Sequence, residues 1–94
     1  MTLKDEFLKV VANAVDVSDR LIEQAKANQD SFLVERLLLA KRNFEGVSQR
    51  LLADELPKSK GAGLGFSREL SEWGIDELFE AGSAIDRFHR MRWQ

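Results

Sequence analysis

The sequence predicts an all-α protein, an antiparallel helical hairpin followed by a third, kinked helical region that makes a three-helix bundle of the protomer. Leu33, Leu37, Ala40, Phe44, Val47 and Leu51 recur at alternating gaps of four and three, the spacing of a helix seam packed on another helix. The one proline, Pro57, and a glycine-rich stretch after it divide the chain into a hairpin and a return segment. The run Leu37, Leu38, Leu39 cannot face a single partner, because neighbours on a helix are turned by about 100 degrees. That surplus leaves an apolar face made of Leu38, Leu39, Leu52 and Leu56 for something outside the seam to cover, and a second copy of the chain is the expected cover.

The first helix is predicted over about 2–28. Thr2 and Asp5 have the spacing of a capping box ahead of an apolar run. Leu3, Phe7, Val10, Ala14, Val17 and Leu21 form one apolar row, and Leu8, Val11, Val15, Ile22 and Ala25 form the next. A stripe this broad implies two packing neighbours rather than one. Its valines lower helix propensity, but the pair Val10 and Val11 breaks the alternation a strand needs, so packing outweighs propensity.

The second helix is predicted over about 31–56. The polar break from Asn28 to Ser31 offers Asp30 or Ser31 as its cap, and so short a connection makes the two helices antiparallel neighbours. Pro57 is the expected stop. Gly46 lies inside this helix, where glycine costs up to about 1 kcal/mol relative to alanine, a cost that a closely crossing neighbour would justify or that the helix simply tolerates.

Residues 57–66 read as a flexible glycine-rich connector. Lys58 and Lys60 precede Gly61, Gly63 and Gly65, no Lys-Ser or Lys-Thr pair follows, and the preceding element is a helix, so neither a phosphate loop nor a dinucleotide fingerprint fits. The third helical region is predicted over about 67–92, with Ser67 as its cap. Its apolar rhythm slips by one residue at Gly74, which points to a short helix to about Trp73 and a longer one from about Ile75. Gly82, Ser83 and Ala84 form a small-residue patch, which permits close helix approach but more often only reflects a loose surface turn.

A single domain of 94 residues leaves little surplus of burial over conformational entropy, which makes association a natural source of more. In a monomer the third region lies back along the hairpin; in a homodimer two hairpins pack as a four-helix core with the third regions outside. With no cysteine, disulfides, thiolate metal sites and cysteine nucleophiles are excluded. The early acidic residues and the lack of a long apolar run predict a cytoplasmic protein without a membrane span.

No constellation of residues names a reaction, and the sequence predicts neither enzyme activity nor a metal or cofactor. His89 is the sole histidine; Asp86 shares its helical face, but a surface ion pair accounts for the two better than a catalytic dyad. Asp16, Asp19 and Glu23 could face a hard cation, yet Arg20 and Lys26 beside them favour a solvated face. Acidic residues Glu69, Glu72, Asp76, Glu77 and Glu80 precede Arg87, Arg90 and Arg92, an order that the helix dipole rewards. Arg87, His89, Arg90, Arg92 and Trp93 could also form a basic, aromatic end for nucleic acid. The net charge of -2 carries no strong field of either sign. The expected function is a non-enzymatic protein-interaction module, a small adaptor or regulator acting through the apolar helix face or the groove beside the connector. The alternative is a nucleic-acid-binding regulator using the Arg-rich end.

Overall fold

The computed structural model describes residues 2–59 and 64–94, and all its regular structure is helical. Four helices follow in order: α1 (Leu3–Ala27), α2 (Ser31–Leu52), α3 (Phe66–Leu70) and α4 (Asp76–Arg92). The long dimension of 41 Å is close to the roughly 37 Å that a helix of α1's length spans.

Both hairpin helices start on side-chain caps. The Thr2 hydroxyl accepts the Asp5 N–H at 3.1 Å while the Asp5 carboxylate accepts the Thr2 N–H, completing the capping box. Asp30 accepts the Leu33 N–H at 3.1 Å and caps α2. Both helices also end alike, on a left-handed residue: Gln29 after α1 and Asp54 after α2, each with φ of 57°. Around each, two amides turn back to helix carbonyls, Gln29 to Lys26 and Asp30 to Ala25 in one case, Asp54 to Leu51 and Glu55 to Arg50 in the other.

The second of these turns corrects the predicted end of α2. The helix stops at Leu52, before Pro57 can act, because Asp54 has already reversed the chain. Leu56 therefore lies beyond the helix and folds inward, only 6% exposed, and does not belong to an outer apolar face.

α1 packs against α2 on one side and α4 on the other, which accounts for its two apolar rows. α4 runs antiparallel to α1: Arg20 pairs with Glu77 at the start of α4, and Glu6 with Arg92 at its end. Since α2 and α4 both end at the same pole of the bundle, the chain between them must return along its length, and it fills the groove between α2 and α4. Phe66 packs on Phe44 of α2 with ring centroids 5.0 Å apart. A methyl at Gly82 of α4 would lie 2.6 Å from Leu70 and 3.1 Å from Phe66, so this glycine marks the close approach of α3. The hairpin's inner face is thus covered by the protomer's own return segment and α4.

The return segment is also tied along α4 on both sides of residues 60–63, the part of the glycine-rich connector that lies outside the described residues. The Ser59 N–H donates to the Trp93 carbonyl at 2.6 Å, the Trp93 indole donates to the Leu56 carbonyl, and His89 Nε2 lies 3.0 Å from the Pro57 carbonyl. Farther up, Asp86 accepts the N–H groups of Leu64, Phe66 and Ser67 at 3.0, 3.3 and 2.8 Å. The described flanks of the predicted flexible connector are therefore anchored. Asp86 replaces the expected Ser67 cap: α3 has no cap of its own and borrows a carboxylate from α4. The break before α4 lies at Gly74, with φ of +72°.

Of the two readings of Gly46, a close crossing and simple tolerance, the structure agrees with the second. No described residue outside its own helix lies within 4 Å of where its Cβ would be.

Candidate interaction surface

The core is a continuous apolar cluster from Phe7 to Trp93, with Phe7, Val11, Leu37, Phe44, Leu78 and Ile85 fully or almost fully buried. What this core does not absorb defines the candidate surface. The buried residues of α2 occupy one side of the helix, and on the two flanks of that side Leu38 and Leu39 are exposed, Leu52 is 67% exposed and Phe32 is 70% exposed. Leu38 and Leu52 lie toward α1, where Leu52 joins Ala12 and Val15 around a shallow depression. Phe32 and Leu39, seven residues apart, lie toward the return segment, and the Arg36 guanidinium bridges Phe32 and the half-buried Trp73. Phe32 was not singled out by the sequence, although its place seven residues before Leu39 in the predicted helix is the signal that could have found it.

The expected basic end divides in two. Arg87 and Arg90 are exposed, and neither forms an ion pair with a described residue. Arg92 is engaged with Glu6 at 2.7 Å and lies over the Phe88 ring. His89 and Trp93 turn inward, against Phe7, with Trp93 edge-on at 5.6 Å. Lys58 covers the Trp93 ring at 3.6 Å. No aromatic face of this group is free to stack a base. Met91, one turn along from Arg87, is 62% exposed and was not singled out by the sequence, because it falls outside the Ile85 and Phe88 stripe.

The other candidates resolve into structural contacts. Asp86 is turned to the amides of α3 and His89 to Pro57, so the two do not form a dyad. Asp19 accepts an ion pair from Lys41 of α2 at 2.7 Å, and Glu23 lies 3.6 Å from Lys26. The hydrogen bond to Asp19 raises the Lys41 pKa above the ordinary lysine value, against the opposing effect of burial. Among the described residues no group of three or more His, Asp or Glu side chains could hold a metal ion, and no helix is long and apolar enough to cross a membrane. No family model matches the chain, and neither a curated protein nor a solved structure resembles it significantly.

Proposed function

We propose that the protein is a non-enzymatic interaction module, a small adaptor or regulator, that recognises another protein through the outer face of α2. The observation that carries this reading is two pairs of exposed large apolar side chains, Leu38 with Leu52 toward α1 and Phe32 with Leu39 toward the return segment, on the two flanks of a helix whose inner side already fills the core. Single exposed leucines are ordinary on protein surfaces; four large apolar groups on one helix of a small domain are the pattern of a helix-docking surface. Catalysis is not part of the proposal, because the only histidine and its neighbouring carboxylate are committed to holding the return segment.

The test is capture from an extract of the native host with the immobilised protein and with the double variant Leu38→Lys, Leu39→Lys. A protein retained by the wild type and lost from the variant, with helicity unchanged by circular dichroism, supports the reading. Identical capture by both overturns it. The second reading, a nucleic-acid regulator, draws on exposed Arg87 and Arg90 and must act through phosphates alone, because Trp93 and His89 are buried. An electrophoretic mobility assay at two salt concentrations, with Arg87, Arg90 and Arg92 changed to alanine, separates it from the first.

A further inference from the structure

We infer that the outer face of α4 is a self-complementary docking surface for a second copy of this chain, packed antiparallel across a two-fold axis. The surface is distinct from the face of α2. Asp76, Glu80, Ser83, Arg87 and Arg90 follow one another at gaps of four, three, four and three, so they form one stripe along the side of α4 away from the core. The first two are acidic, the last two basic, and the one between is small. None of the four charged side chains makes an ion pair with a described residue, although other carboxylates and cations on the bundle, such as Glu77 with Arg20 and Arg92 with Glu6, do.

The helix dipole accounts for part of this order but not for all of it. Its effect fades beyond the first and last turns. Asp76 and Arg90 lie within its reach, whereas Glu80 lies a turn inside the first and Arg87 a turn inside the last. The helix also forgoes the usual internal pairing, since no acid on this stripe stands three or four residues before a base. The segregated charges find partners when a second α4 is laid antiparallel, centred between Ser83 and Ala84. Glu80 then faces Arg87 of the other copy, Asp76 faces Arg90, and the symmetry repeats both pairs. A parallel arrangement would set acid on acid and base on base.

Packing agrees with the charges. Ser83 and Ala84, both only partly exposed, occupy the crossing point, where small side chains let two helices approach closely. In the same register, exposed Met91 of each copy comes over Glu77 of the other. Beside Glu77 lies a shallow depression of about 200 Å³ lined by Asn13, Val17, Glu80, Ala81 and Ala84. A flexible thioether suits such a recess. The interface thus has two apolar knobs, two recesses and four ion pairs, each related by the two-fold axis.

Sedimentation of the wild type, Glu80→Arg, Arg87→Glu and an equimolar mixture of the two variants tests the inference. The wild type is expected to sediment as a dimer at about 100 µM in low salt, and salt is expected to weaken it. Each variant alone places like charges opposite one another and should associate about tenfold more weakly or worse. The mixture restores opposite charges at both contacts and should recover the dimer. These positions are exposed, and circular dichroism checks that each variant is folded. A monomeric wild type, a single variant that dimerises as well as the wild type, or a mixture that fails to recover association each overturns the inference. The variant pair Leu38→Lys, Leu39→Lys should leave the dimer intact, and Glu80→Arg should leave capture by α2 intact, so the two surfaces stand or fall separately.

Discussion

Two glycines in helix interiors show how one residue type can answer to opposite constraints. At Gly82 the absent methyl is the reason α3 can lie on α4: the added carbon would meet the Leu70 side chain at 2.6 Å and the Phe66 Cβ at 3.1 Å, and both residues are buried. At Gly46 the same carbon would meet open space. Replacing either with alanine gains helix propensity of about 1 kcal/mol, but at Gly82 overpacking of about 1–3 kcal/mol opposes it. Gly46→Ala should therefore raise the unfolding free energy by about 0.5–1 kcal/mol, and Gly82→Ala should lower it by up to about 2 kcal/mol. Urea denaturation of both variants reads the two signs. A destabilised Gly46→Ala would mean that something approaches α2 at that point.

At the scale of elements, the return segment is held differently from the hairpin. α1 and α2 are long, capped, and packed by continuous apolar rows. α3 is a five-residue helix with no cap of its own, kept in place by Phe66, Leu70 and the Asp86 carboxylate. Asp86→Ala leaves three amides short of an acceptor, at a cost of about 1–3 kcal/mol. Hydrogen exchange should then quicken at Leu64, Phe66 and Ser67 more than in the centre of α1, as expected of a segment that opens before the whole molecule does. Equal quickening throughout would mean that the segment and the hairpin unfold as one. This element was also the least legible in the sequence. The period of apolar residues was enough to place α1, the seam of α2 and the slip at Gly74, because those features depend on neighbours along one helix. Asp86 and His89 looked like surface or site residues because their partners, at Phe66, Ser67 and Pro57, are some twenty to thirty positions distant. Leu56 was misplaced for a related reason: left-handed Asp54 carries no glycine signal, so Pro57 was the only visible stop.

For the molecule as a whole, stability hinges on the few side chains that join elements otherwise out of contact. α2 and α4 have little direct contact, and what joins them is α1 on one side and the return segment on the other. Phe44 stands where that second connection is made: fully buried on α2, it packs on the Phe66 ring of α3 and comes within 3.8 Å of the Cβ position at Gly82 of α4. Removing the ring opens a cavity shared by three helices, and the small core leaves few neighbours able to collapse into it. The expected cost of Phe44→Ala is about 3–5 kcal/mol. A domain of this length has about 5–14 kcal/mol in total, at roughly 0.05–0.15 kcal/mol per residue. Since each kcal/mol shifts the melting temperature of so small a domain by about 4–8 °C, the variant should melt more than about 10 °C below the wild type. Leu39→Ala removes a comparable apolar group from the outer face of the same helix and should change the melting temperature of the isolated protomer by no more than a few degrees. The contrast separates the two sides of α2: the inner one holds the bundle together, and the outer one is free to serve a partner without endangering the fold. Comparable losses from the two variants would show that the outer leucines are needed for folding and would remove the basis for assigning them to recognition.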